Sequence, residues 1–258
     1  MVTLQQLLQA CDGLLQPERF RDYGPNGLQV EGRPQVRKLV SGVTASLAFI
    51  DAAIEARADA VLVHHGLFWR GQEGRVTGWM RQRLGRLLAH DISLLAYHLP
   101  LDAHSEWGNN AQLGRVLGLQ ADARFGEQDL GFLGGPATGQ AFADTAALAA
   151  HVEGVLGRSV TVVEGQGAQG AVNGPITRVA WCTGGAQSYF EAAIAAGAQA
   201  FLTGEISEPQ AHYARECGVS FLACGHHATE RYGAPAVAAK VAQDLGLEHQ
   251  FIDIPNPA

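Results

Sequence analysis

A duplicated segment constrains this chain more than any other feature of its sequence. Asp51–Val63 and Glu191–Thr203 align without a gap, with Ala52, Ala53 and Ile54 opposite Ala192, Ala193 and Ile194. Each segment follows an apolar run, Lys38–Val43 or Arg178–Cys182, and a polar turn. The likeness continues: Leu87–His90 followed by Ile92–Tyr97 resembles Ala211–Cys217 followed by Val219–Cys224. Each half thus predicts strand–helix–strand–helix–strand. Short apolar strands alternating with helices imply buried, largely parallel pairing and right-handed crossovers. The expected fold is α/β, with two interleaved repeats on mostly parallel or mixed sheets. Residues 1–125 would form the first repeat and residues 126–258 the second, closely packed on it. Gly126–Pro175 is expected to hold a strand at Leu130–Gly134, a helix capped by Asp144 and running through Leu156, and a strand at Val160–Val163.

The remaining composition narrows the class. Hydrophobic residues make up 47% and charged residues 17%, a globular balance. The net charge of −7 opposes binding to phosphate backbones, which argues against a nucleic-acid partner. Leu4, Leu7, Leu8, Cys11, Leu14 and Leu15 fall on one helical stripe, and Thr3 and Gln6 have capping-box spacing. Met1–Phe20 therefore reads as an amphipathic core helix, not a targeting signal. No apolar run is long enough to span a bilayer. Cys11, Cys182, Cys217 and Cys224 form no CxxC pair and lie in apolar stretches. They read as reduced core residues of a cytoplasmic protein. Gly165–Gly170 matches GxGxxG, but Asn173, Gly174, Pro175 and a strand follow it, where a dinucleotide site needs a helix. We read it as a loop.

Six of the ten histidines lie in three short segments, each directly after an expected strand. These are His64-His65-Gly66, His98 to His104, and His226 to Glu230. Carboxyl ends of parallel strands lie on one side of a sheet, where ligands bind. Adjacent strand residues point to opposite faces, so His64 and His65 can share a site only where the strand ends and the chain turns. Gly66 would permit that turn. Asp102 lies just past Pro100, expected outside regular structure. His226 and Glu230 are spaced to share one helix face, while His227 would point away. Taken singly, each admits an ordinary role: a buried histidine, an Asx turn, a surface polar pair. Together, His64, His65, Asp102, His226 and Glu230 form a mixed imidazole and carboxylate set, suited to zinc, iron or manganese better than calcium. Five ligands exceed what one catalytic zinc takes from protein, so two divalent ions are expected. His98 and Glu205 are candidates for proton transfer or for orienting a ligand, Glu205 because it occupies the position of His65 in the second repeat. His104 is a weaker candidate.

At these residues the chain resembles the Nif-three-like family, also known as GTP cyclohydrolase I type 2 homologues. The resemblance runs from Asp22–Val30 to Phe251–Pro257 through Val63–Trp69, His98–Asp102, Gly108–Asn110, Thr203–Glu205 and Gly225–Glu230. It implies a dinuclear metal centre on the five residues named above, interleaved α/β repeats, and a ring-shaped (toroidal) homohexamer with the sites facing a cavity. Gly126–Pro175 is too short for the extra domain of some relatives, which points to the compact bacterial form. Gly66 replaces a proline common after the paired histidines. The activity implied is hydrolysis of GTP, with water opening the purine ring and formate leaving. A metal-dependent hydrolase acting on a small molecule, such as a nucleotide, is the leading reading. The alternative is a non-enzymatic divalent-metal-binding scaffold. Nucleic-acid binding inside a ring is weaker still.

Overall fold

The computed structural model describes residues 1–166 and 174–258, in two compact units. The first unit takes in Met1–Gly108 and Arg231–Pro255; the second takes in Asn109–Glu230 and Asn256–Ala258.

In the first unit the chain runs through β1 (Val2–Thr3), α1 (Leu4–Leu15), β2 (Gly27–Val30), β3 (Gln35–Val36) and β4 (Lys38–Thr44). It continues through α2 (Leu47–Glu55), β5 (Ala60–His65), α3 (Gly78–Ala89), β6 (Ser93–Ala96) and α4 (Leu99–Ala103). The capping box of Thr3 and Gln6 opens α1, and Leu4, Leu7, Cys11 and Leu15 are its buried stripe. β4, β5 and β6 pair in parallel, and β2 lies antiparallel on β6. Side chains alternate across this sheet. Leu39, Ala60, Leu62 and Leu95 pack with α1, whereas Val40, Val61, Val63, Leu94 and Ala96 pack with Phe49, Ile50 and Leu87 of α2 and α3. Both faces are covered, so these strands read as near-continuous apolar runs.

The second unit comprises α5 (Asn109–Val116), β7 (Leu119–Phe125), β8 (Gly131–Pro136), α6 (Thr145–Leu156), β9 (Thr161–Val163) and β10 (Val179–Trp181). It is completed by α7 (Phe190–Ala195), β11 (Ala200–Thr203), α8 (Glu208–Cys217), β12 (Ser220–Ala223) and α9 (His226–Glu230). Its sheet runs β7-β8-β10-β11-β12-β9. β10, β11 and β12 are parallel, and antiparallel strands border them. The order β4-α2-β5-α3-β6 thus repeats as β10-α7-β11-α8-β12, as the duplicated sequence predicts, and a short helix follows each time, α4 or α9. Phe201 is fully buried against Phe190 and Phe221, with ring centroids 5.8 and 5.6 Å away.

The last elements, α10 (Gly233–Leu245) and β13 (Glu248–Phe251), belong to the first unit. β13 adds in parallel to β4, and Val237, Ala238 and Val241 join the cluster around α1. Each unit draws on two separated stretches of chain.

Three details depart from expectation. Asp102 lies inside α4, because a proline in the first turn leaves the helix intact: its missing N–H has no intrahelical partner there anyway. Cys217 is exposed near the end of α8; the other three cysteines are buried, and none of the four is in a disulfide. Burial pushes the Cys11 and Cys224 thiols up to about 12. Gly66 does not adopt a positive φ; the Gln29 amide occupies the place a Cβ would take. Residues 167–170 of the glycine-rich stretch lie outside the described residues. No helix among the described residues is long and apolar enough to cross a membrane.

Candidate metal centre

In the first unit, the carboxyl ends of β5 and β6 bring together His64, His65, His98 and Asp102. His64 is fully buried, and its Nδ1 lies 3.1 Å from the carbonyl oxygen of Tyr97. A carbonyl only accepts, so Nδ1 carries a proton, and in the neutral ring Nε2 keeps the lone pair. That Nε2 faces the Asp102 carboxylate at 3.5 Å. His65 sits beside it with ring centroids 4.4 Å apart, its Nδ1 3.1 Å from Thr44 Oγ1. His98 completes the group: one ring nitrogen from each of His64, His65 and His98 lies within 4.8 Å of the others. α4 carries Asp102, which is buried with only 7% of its surface exposed.

His98 is held by a residue that periodicity does not single out. Asp22 Oδ1 accepts from His98 Nδ1 at 2.7 Å, and Asp22 Oδ2 accepts from the Leu99 backbone N–H at 2.9 Å and from Asn26 Nδ2 at 2.8 Å. Burial works to raise the Asp22 pKa, but the hydrogen bond and charge of His98, with the other donors, outweigh it and hold it below the usual value. An ionised Asp22 fixes the proton on His98 Nδ1 and turns Nε2 toward His64 and His65. The signal in the sequence is the string Asp22–Asn26, whose polar side chains tie a loop to the end of β6.

In the second unit, α9 and the end of β11 assemble His226, Glu230 and Glu205. His226 Nε2 lies 3.1 Å from Glu230 Oε2, and His226 Nδ1 lies 2.6 Å from Glu205 Oε1. The helical spacing of four thus brings the expected pair together. Burial favours the neutral ring, but Glu230 and then Glu205 outweigh it and push the His226 pKa up to about 9. Two carboxylates on one imidazole, one of them almost fully buried, make a site where a cation can replace the Nε2 proton. The donor chemistry of both groups therefore fits a divalent metal of the borderline class. His104, by contrast, accepts from the Trp107 backbone N–H at 3.0 Å and caps a local turn.

Glycines frame the second group. Gly225 has φ +99° where β12 turns into α9, and the Arg158 guanidinium fills the place of its missing side chain. Gly184, after β10, has φ +68°; a Cβ there would collide with the Glu230 carboxylate and stand 3.1 Å from His226 Nε2. The Gly184 N–H donates to Thr229 Oγ1 at 3.0 Å, and its carbonyl accepts from Thr203 Oγ1 at 3.0 Å. Asn110 steadies the turn: its Oδ1 accepts from the Thr183 N–H and its carbonyl accepts from Trp181 Nε1, each at 2.9 Å. Gly184 was missed at the sequence level, although the repeat places it opposite Thr44, the residue bonded to His65.

The sequence profile of Duf34/NIF3 (NGG1p interacting factor 3) matches residues 2–257. The chain belongs to this family. A relative from Pseudomonas aeruginosa named GTP cyclohydrolase 1 type 2 homolog is 52% identical, over 100% of this chain and 99% of its own length. One of the same name from Escherichia coli is 46% identical, over 98% of each chain. Among solved structures, protein ybgI, described as of unknown function, superposes with a TM-score of 0.93 at 45% identity over 100% of both chains. A protein from Thermus thermophilus gives 0.85 at 31% identity, again over 100% of both. These confirm the NIF3 fold. Its clustered histidines and carboxylates give this chain groups that could bind a metal ion.

Proposed function

We propose that His64, His65, Asp102, His226 and Glu230 together hold two divalent ions, and that the protein is a metal-dependent hydrolase of GTP cyclohydrolase type. The observation that carries this reading is the state of the two ligand-bearing imidazoles. His64 has its Nδ1 proton committed to a carbonyl, and His226 has its Nδ1 committed to a carboxylate. In each case Nε2 faces a buried carboxylate. Such held nitrogens are the usual accompaniment of metal-ligating histidine. When bound, the ions would lower the pKa of a water and polarise the bond under attack. Zinc, iron and manganese all suit the donor set.

The chain's own groups would then manage protons. His98, with Nδ1 tied to Asp22, offers Nε2 to accept or return one proton during turnover. Glu205 holds His226 upright and can share its Nδ1 proton. A small substrate such as a nucleotide would be opened by water, with formate as the leaving fragment if the substrate is GTP; the name of the relatives supports that choice. The toroidal homohexamer and a cytoplasmic location complete the reading. Free thiols suit that compartment.

The test is a substrate panel including GTP, assayed with and without added zinc, iron or manganese. Metal-stimulated hydrolysis that disappears in Asp102→Ala supports the reading. Hydrolysis that survives Asp102→Ala contradicts it. Tightly bound metal with no turnover across the panel would replace it with a metal-binding scaffold.

A further inference from the structure

The first unit has a cavity of about 570 Å³ at the opposite end of its parallel strands. It lies where β4 begins at Lys38, where β13 begins at Glu248, and beside Asp59 and Ile92, which immediately precede β5 and β6. His64 and His65 stand at the other end of β5, about 20 Å away at ~3.3 Å per strand residue. The cavity is therefore separate from the metal-binding groups.

Its chemistry is cationic, in a chain whose net charge is −7. Asp59 is already engaged: Oδ1 accepts from Arg33 Nη1 at 2.8 Å, and Oδ2 accepts from the backbone N–H groups of Arg37 and Lys38 at 2.8 and 3.0 Å. Arg33 is equally committed, with Nε and Nη2 donating to the carbonyls of Asp91 and His90. Arg37, Lys38 and Arg57 also line the cavity, and beside Asp59 its only acidic lining residue is Glu248. Ile54 and Ile92 supply an apolar part of the wall.

Arg57 adds an independent observation. It adopts the left-handed conformation, with φ +57°, where α2 gives way to β5. In the second repeat the matching position is Gly197, with φ +82°. Glycine takes this conformation without strain, and arginine does not. Arg57 thus keeps a conformation that its counterpart in the second repeat meets with glycine. Arg57 is among the residues that line the cavity.

We propose that this cavity is a second ligand site, taking a small organic phosphate. Arg37, Lys38 and Arg57 bind the phosphate, and the apolar body lies against Ile54 and Ile92. Guanidinium groups suit planar contacts to phosphate oxygens, and lysine adds a point charge. The proposal is independent of the metal-dependent activity.

Calorimetric titration of the full chain with phenyl phosphate, and with inorganic phosphate for comparison, tests it. One saturable site is expected, with phenyl phosphate binding more tightly. Arg57→Gly should weaken binding about tenfold, the effect of losing one charge-assisted contact. The same variant should raise the thermal midpoint by relieving strain, so loss of binding cannot be put down to unfolding. Arg37→Ala should weaken binding similarly, and His226→Ala should leave it unchanged. Absence of saturable binding to the wild type would overturn the proposal. So would equal affinity for the two phosphates, indifference to Arg57→Gly and Arg37→Ala, or loss of binding in His226→Ala.

Discussion

Replacing Gly184 by alanine separates the backbone from the site. Two effects coincide there. The residue sits at φ +68°, so an L-residue costs about 1–2 kcal/mol. The new Cβ would also overlap the Glu230 carboxylate and press on His226 Nε2. Glu230 is 3% exposed and has little room to withdraw. Gly157 provides the control. It caps α6 at φ +70°, and a Cβ added there would meet nothing within 4 Å, so Gly157→Ala carries the backbone cost alone. Urea unfolding of the metal-free variants should show a loss of about 1–2 kcal/mol in Gly157→Ala and about 1–3 kcal/mol more in Gly184→Ala. Competition with a chromophoric chelator should then show metal affinity unchanged in Gly157→Ala. In Gly184→Ala it should fall about 10- to 100-fold, the usual effect of disturbing a ligand's support. Wild-type affinity in Gly184→Ala would refute the proposed role of Glu230 as a metal ligand.

Outcomes at three further residues, His226, Asp22 and Cys217, can be checked. The His226 pKa of about 9 means that metal competes with a proton at neutral pH, so apparent affinity measured by chelator competition should rise about tenfold per pH unit from pH 7 toward 9 through this group. For the metal-free chain the sign is opposite: stability from the raised His226 pKa is fully present below 6.5 and is lost as pH rises through about 9, which unfolding midpoints across that range would show. Asp22→Asn should free His98 Nδ1 and lower metal-stimulated activity about 10- to 100-fold. The variant should also lose the wild type's acid dependence from Asp22, whose lowered pKa contributes stability above 3.8 that disappears as pH falls through the folded value. A thiol reagent should label Cys217 rapidly in the native protein and reach buried Cys11, Cys182 and Cys224 only on unfolding, as mass spectrometry of labelled peptides can check.

Much of this architecture was legible from one chain because its strands are covered on both faces. Parallel pairing made β4, β5, β10, β11 and β12 read as apolar runs, and the repeat gave their order. α1 was legible through its leucine stripe and capping pair. The return of β13 to β4 was not, because that pairing joins Glu248–Phe251 to Lys38–Ser41 and leaves no local pattern. α4 was hidden by Pro100, which reads as a break unless its place in the first helical turn is known. Cys217 sits on the exposed side of α8, a distinction that apolar neighbours in sequence obscure. At the site, histidines and carboxylates after strands were legible as ligand candidates, and spacing alone paired His226 with Glu230. Asp22, Thr44 and Gly184 were not, since each acts through loop conformation or a hydrogen bond across the fold.

In the proposed reading His64 of the first unit and His226 of the second are both metal ligands. Elemental analysis of untagged protein purified without added metal tests it most directly. About two equivalents per chain are expected in the wild type, with clear losses in both His64→Ala and His226→Ala. Metal-free wild-type protein, or a full complement retained when either histidine is removed, would contradict it.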